Sequence, residues 1–409
     1  MTKNKVPQIR FKGFSGEWKE SDLGEKVEFF SGLTYSPNNV VKNNGVLVLR
    51  SSNVKDGRIV DADNVYVNSD VVNCSNIQKG DIAVVVRNGS RSLIGKHAQI
   101  QKEMKNTVIG AFMTGIRSEQ PSFTNALLDS SKFTKEIEKN LGATINQITT
   151  GAFKKMIFSF PNQTEQTKIG DYFQRLDKLI EQKEKKYQKL KQFKKAMLSK
   201  MFPKNGADTP EIRFKGFSGE WEIVKFKELA NVKRGLTYKP SDISSDGIKV
   251  LRSSNINEDN FVQNEDDVYV IEEAINIDFT NAFDILITSA NGSSRLVGKH
   301  AIVQNLNSKA VHGGFMLLAT SKSPFFLNAS MSSSWYKKFI NKFVSGGNGA
   351  IGNLSKSDLD EQEIYAPKIE EQIKIGNYFQ KLDSQIELQL QEIEKLKNIK
   401  KASLTKMFV

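Results

Sequence analysis

Cysteine is almost absent from this 409-residue chain, with Cys74 standing alone. No intramolecular disulfide can form, and a reducing compartment fits that usage. Histidine is nearly as scarce: His97, His300 and His312 are the whole complement. Three scattered imidazoles and one thiol give no metal-ligand spacing, and no Ser-His-Asp arrangement suggests itself. Long apolar runs are missing too, and none approaches the ~18 residues that a membrane span needs. The opening MTKNKVPQIRFKGF has no apolar core of the signal-peptide kind. A cytoplasmic protein with no membrane partner is expected. There is no Gly-rich dinucleotide fingerprint, and no Asn-Pro-Pro-aromatic motif of the kind amino-methylating enzymes use on a flipped base. The nearest approach to a phosphate loop, GSRSLIGKH from Gly89, has five residues between its glycines rather than four, and His97 follows the lysine. Neither the backbone cradle nor the Mg²⁺ hydroxyl would be in place. No catalytic residue, metal site or cofactor site is therefore assigned to this chain.

Negative charge is the remaining shortfall. Lys and Arg number 59 against 46 Asp and Glu, for a net charge of +13 and a pI near 9.4. That sign points toward an acidic partner, nucleic acid first; the competing reading is a Lys-rich solvated surface. With 38% hydrophobic and 26% charged residues, the composition is that of a globular protein long enough for two or three domains.

What is present is a repeat. PQIRFKGFSGEW from Pro7 returns as PEIRFKGFSGEW from Pro210, 203 residues later. LRSSNV at Leu49 returns as LRSSNI at Leu251, LIGKHA at Leu93 as LVGKHA at Leu296, and GAFM at Gly110 as GGFM at Gly313. A period near 200 residues is far too long for a solenoid and marks a tandem duplication of a whole module. Each module reads alike. After GLTY (Gly32, Gly235) come short strand-like runs: VLVLR, NVYV, DIAVVV and HAQI in the first, IKVLR, DVYV, DILIT and HAIV in the second. One helix is expected next, carrying Phe123, Leu127, Leu128, Phe133 and Ile137, or Phe326, Leu327, Met331, Trp335, Phe339 and Ile340.

Each module closes on a long helix, Glu165 to Phe202 and Glu371 to Phe408. Ile169, Phe173, Leu176, Ile180, Tyr187 and Leu190 follow the 3-4 spacing of a coiled-coil seam, and Ile375, Phe379, Leu382, Ile386, Ile393 and Leu396 occupy matching places. Lys183 and Lys194, then Gln389 and Lys400, interrupt it at the same steps. Polar seam positions cost stability and pin register and partner choice. A helix of this length spans about 55 Å, a strut. Asn162 and Glu165 have capping-box spacing, whereas Lys368 stands where the second cap would be. The fold class expected is α+β: a duplicated mixed domain followed each time by a long helix, the two helices pairing as an antiparallel coiled coil. Segments at 1–160, 161–205, 206–366 and 367–409 follow, the first and third globular and the others helical.

The candidate contact residues cluster in two places per module. In RNGSRS, Arg87, Asn88, Ser90 and Arg91 can reach phosphates and base edges; Asn291, Ser293, Ser294 and Arg295 do so in SANGSSR. The competing reading is an ordinary Asn-Gly hairpin. Arg50 and Asn53, with Arg252 and Asn255, form a second cluster at a strand end, where Ser and Asn also commonly cap turns. Lys96 and Lys299 are plausible phosphate contacts, while His97 and His300 are equally well core histidines. Tyr35 and Tyr238 read either as DNA contacts or, by preference, as buried tyrosines, and the lysines from Lys183 to Lys195 read either as phosphate contacts or as a solvated helix face. Residues shared by both modules serve common tasks. Divergent loops, such as Ile145 to Thr150 against Gly346 to Leu354, are where two modules would read different things.

The PQIRFKGFSGEW segments, the LRSSN and GKHA steps and the paired EQ-x-KIG-x-YF-x-x-LD helices together resemble the specificity subunit of Type I restriction–modification systems. The likeness covers essentially the whole chain. It implies two target-recognition domains, each reading one half of a split, asymmetric double-stranded DNA site. It implies that the paired helices set the gap between half-sites and dock two methyltransferase subunits. S-adenosylmethionine would belong to those partners, ATP and Mg²⁺ to restriction subunits that join them, and no catalytic centre to this chain. Other readings remain open at this point: the recognition subunit of a related modification system, an enzyme complete in one chain, or a coiled-coil scaffold without DNA contact.

Overall fold

The computed structural model describes residues 5–142, 146–204, 207–344 and 352–409. The chain divides into two compact units: residues 1–184 with 391–409, and residues 185–390. These bounds differ from the four sequence segments, because each unit takes one half of each long helix.

The first unit is built on a four-stranded antiparallel sheet in the order Glu28–Ser31, Met113–Arg117, Ile82–Val85, His97–Gln99. Strand Ile82–Val85 is buried on both faces, which explains its unbroken apolar run. Ile82 and Val84 join Phe123, Leu127 and Phe153 in one core, and Ala83 and Val85 join Leu49, Val54 and Ile109 in another. A three-stranded sheet sets Val46–Leu49 between Val65–Val67 and Thr107–Ile109, the last pair parallel. Lys19–Asp22 pairs antiparallel with Ile157–Phe160 and so ties the start of the module to the strand that leads into the long helix. The second unit repeats this plan, with Ala230–Arg234, Met316–Ser321, Ile285–Thr288 and His300–Ile302 in the same order.

Two helices, not one, follow each sheet: Pro121–Asp129 and Ser131–Asn140, then Pro324–Met331 and Ser334–Phe343. The break falls at Ser130, whose backbone is extended (ψ 155°) and whose hydroxyl donates to the Leu127 carbonyl. A continuous apolar face hides such a break, because both short helices bury the same side. Strands Met113–Arg117 and Thr107–Ile109 lay outside the sequence expectation.

The long helices run Gln163–Lys200 and Ile369–Met407. Asn162 caps the first, its Oδ1 accepting the Glu165 N–H at 2.9 Å. The box stays half-formed, because the buried Glu165 carboxylate instead takes a two-pronged bond from Arg10, both arms 2.7 Å. Arg213 grips Glu371 in the same way at 2.8 and 2.7 Å. The repeated IRFKGF and EQ-x-KIG motifs are thus two halves of one clamp. Gly170 and Gly376 complete the docking, since a Cβ there would come within 2.7 Å of the Phe123 or Phe326 backbone nitrogen.

Pairing of the helices is antiparallel. In the first unit Tyr172 meets Ser403, Asp177 meets Lys400, Lys183 meets Glu392 and Glu184 meets Lys397. In the second, Lys194 meets Asp383 at 2.5 Å. From Tyr172–Ser403 through Asp177–Lys400 to Lys183–Glu392 one partner's number rises as the other's falls, and Glu184 reaches back to Lys397. Along the seam Ile169, Phe173, Leu176, Ile180, Ile375, Phe379, Leu382 and Ile393 are buried, while Tyr187, Leu190, Ile386 and Leu396 are half-buried. Lys183, Lys194 and Lys400 all find carboxylates on the mate helix, so those polar steps select the mate.

Candidate nucleic-acid interface

The two sequence clusters of each module meet at one surface. Asn88 Nδ2 donates to Ser51 Oγ at 3.0 Å in the first, and Asn291 Nδ2 donates to Ser253 Oγ at 3.1 Å in the second. The Asn-Gly step is no two-residue hairpin. Strands Ile82–Val85 and His97–Gln99 are joined by a longer loop containing a short turn, Arg91–Leu93. Asn88 Oδ1 accepts the Ser90 N–H at 3.0 Å, and Asn291 Oδ1 the Ser293 N–H at 2.9 Å. One side chain thus shapes its own loop and bridges to the next. Arg87, Ser90, Arg91, Ser293, Ser294 and Arg295 are left exposed.

The root of this loop is held from two sides. Its backbone pairs with the segment that ends the divergent loop: Arg87 with Gln147 in the first module, Ala290–Asn291 with Gly352–Asn353 in the second. Of the divergent stretches, Ile145 and residues 346–351 lie outside the described residues. On the other side stands the GAFM or GGFM turn. Gly32 and Gly235 of GLTY pack so close that a Cβ would fall 2.1 Å from the Gly110 carbonyl oxygen or 1.9 Å from that of Gly313. No other residue fits there.

Several candidates have structural work instead. Asn53 and Asn255 are fully buried. Asn53 accepts from Arg50 N (2.9 Å) and donates to Ala62 O and Asn64 Oδ1 (both 2.8 Å). Asn255 accepts from Arg252 N (2.8 Å) and donates to Asp267 Oδ1 (2.7 Å) and Val262 O (3.0 Å). Such an amide has nothing left for a base, so both asparagines are corrected to turn-builders. Arg50 Nη2 reaches Asp63 at 2.5 Å, and Arg252 Nη2 donates to the Asp266 carbonyl at 3.2 Å. Lys96 and Lys299 are half-buried and form no ion pair among the described residues. His97, His300 and His312 are core residues, and burial lowers the pKa of the latter two. Tyr35 and Tyr238 pack, half-buried, on small apolar clusters. Lys183, Lys191 and Lys194 are taken up by Glu392, Glu258 and Asp383 of this chain.

The Type I restriction modification DNA specificity domain matches residues 15–192 and again 218–398. The chain belongs to this family. The Type I restriction enzyme MjaVIII specificity subunit of Methanocaldococcus jannaschii is 24% identical over 276 residues, 64% of this chain and 63% of that relative. The alignment thus spans just under two thirds of the relative's length. Among solved structures, the Type-I restriction-modification system S subunit from M. genitalium superposes with a TM-score of 0.67 at 16% identity, covering 99% of each chain. A chain from a structural study of complex assembly and conformational transition in the type I R-M system gives 0.52 at 16% identity, over 95% of this chain and 96% of that one. At such identity these two likenesses speak for the fold. For a specificity-domain family the informative contrast lies within the chain. Asn88 and Asn291, Ser51 and Ser253, and Phe112 and Phe315 are common to both surfaces, whereas Arg87 faces Ala290 in the repeat, Arg91 faces Ser294, and Ser92 faces Arg295.

The exposed Phe112 and Phe315 were not among the sequence candidates. The repeated G-x-F-M turn was the available signal, and it looks like a core motif because Met113 and Met316 are indeed buried.

Proposed function

We propose that this chain is the DNA-specificity subunit of a Type I restriction–modification complex. The globular segments 1–160 and 206–366 act as recognition domains, each reading one half of a bipartite, asymmetric double-stranded site. The paired helices set the spacer between half-sites and dock two methyltransferase subunits, which restriction subunits then join. S-adenosylmethionine, ATP and Mg²⁺ sit on those partners, and the chain itself catalyses nothing. The observation that carries this reading is the duplicated surface: one scaffold, two sets of exposed Arg, Asn and Ser. Contacts shared by both modules suit phosphates, which position without specifying, and the differing residues suit base edges. Net charge of +13 supplies the electrostatic attraction.

The test is an exchange of residues 222–366 for those of a relative, followed by mapping of methylated positions in DNA modified by the assembled complex. One half-site should change and the other stay. A change in both halves would refute independent readers.

A further inference from the structure

Each module leaves the ring of its G-x-F-M turn in solvent, and these two are the most exposed aromatic side chains among the described residues. Phe112 is 56% exposed and Phe315 73% exposed. Their backbones are nonetheless fixed. The Phe112 carbonyl accepts the N–H groups of Val86 (3.0 Å) and Arg87 (3.1 Å), and the Phe315 carbonyl those of Ser289 (2.9 Å) and Ala290 (3.1 Å). The ring is therefore planted at the root of the polar loop in both modules. In the first, the Arg87 guanidinium sits 5.0 Å from the Phe112 ring centre; in the second, Ala290 occupies that place and the ring is barer. Burying a phenyl group is favourable in proportion to the apolar area it removes from water. Two copies that differ in their charged residues both leave that gain unused at the same spot, which marks a shared task completed by an outside surface.

We infer that Phe112 and Phe315 are apolar wedges, one per module, that press into a base step of duplex DNA while the neighbouring Arg, Asn and Ser side chains hold the strand. The flanking cations favour a polyanion as the occupant. An aromatic or aliphatic side chain can part a base step at the cost of some stacking, with the added protein surface offsetting it. Because both modules share the ring, it contributes affinity and deformation rather than the choice of bases. The inference rests on the DNA-reading function proposed above.

The test uses the full chain with Phe112→Ala, Phe315→Ala, the double variant, and Leu at each position. Binding to a duplex carrying the methylated site is titrated across salt concentrations, with 2-aminopurine placed through each half-site. Wild type should bind with strong salt dependence and brighten 2-aminopurine at one step per half. Each Ala variant should bind about tenfold more weakly with an unchanged salt slope, since no cation is lost, and should lose the signal in its own half only. Leu should restore most of both. An Arg87→Ala, Arg91→Ala chain provides the contrast, with a shallower slope. Unfolding midpoints equal to wild type confirm that the exposed rings do not carry the fold. If wild type binds but the Ala variants match it in affinity and fluorescence, the wedge is refuted while the DNA reading stands. If those variants instead lose capture of modification subunits, the rings belong to a protein contact and the wedge is again refuted. Absence of salt-dependent binding by wild type overturns both.

Discussion

Phe202 is the residue whose sequence neighbourhood and structural allegiance disagree most. It lies two residues past the helix Gln163–Lys200, at the end of the first repeat, yet it packs within the second unit. Its ring is 3% exposed and lies 6.0 Å from Trp221, 5.7 Å from Phe326 and 6.0 Å from Phe379. Phe408, also 3% exposed, fills the matching socket of the first unit beside Trp18, Phe123 and Phe173. Truncating a phenylalanine in such a site costs about 3–5 kcal/mol, from lost transfer energy and the cavity left behind. Phe202→Ala should therefore raise the opening equilibrium of the second unit by roughly a hundredfold or more. Hydrogen exchange read by mass spectrometry would show it: peptides around Trp221, Phe326 and Phe379 lose protection, while those around Trp18 and Phe123 do not. Phe408→Ala should give the mirror result. If Phe202→Ala loosens the first unit instead, or neither, the assignment of helix ends to sockets is wrong.

A pH test concerns Asp129, which lies 3.2 Å from His97 and 2.8 Å from Lys400. Burial by itself would raise its pKa, but His97 and Lys400 outweigh that and hold it down at about 2. With an unfolded value near 3.9, the stabilisation of about 2 kcal/mol is complete above pH ~4 and is lost as pH falls through ~2. Asp177 shares Lys400 at 2.7 Å and is pushed the other way by burial, so it takes up its proton earlier. In urea unfolding, Asp129→Asn should trail wild type by about 2 kcal/mol at pH 7, and the gap should close below pH 4. A gap independent of pH would show that the carboxylate charge is not what matters. The strut offers a third test. Four residues inserted between Lys185 and Leu190 add ~6 Å but shift the Lys194–Asp383 step against its mate. Only a matching insertion between Ser384 and Leu390 should keep the complex assembled and lengthen the DNA spacer by a base pair or two, at roughly 3.4 Å per step; an unchanged spacer would show that the helices do not measure it.

The repeat, the strand-like apolar runs, the long helices and their polar interruptions were all legible in the chain, because periodicity and local propensity depend on neighbours a few residues away. Periodicity says which face is buried. It does not say against what, so the allegiance of Phe202 and Phe408 and the choice of Asp177 and Asp383 as mates for Lys400 and Lys194 needed the folded chain. The same limit explains the misplaced contact residues. An asparagine after two serines reads alike whether it caps a turn or faces a base, and only the burial of Asn53 and Asn255, with every amide atom engaged, separates the two. Phe112 and Phe315 are the converse case. Composition places phenylalanine in a core, whereas here the Phe112 carbonyl is tied to Val86 and Arg87 and the Phe315 carbonyl to Ser289 and Ala290, a placement that exists only once strands distant in sequence have come together.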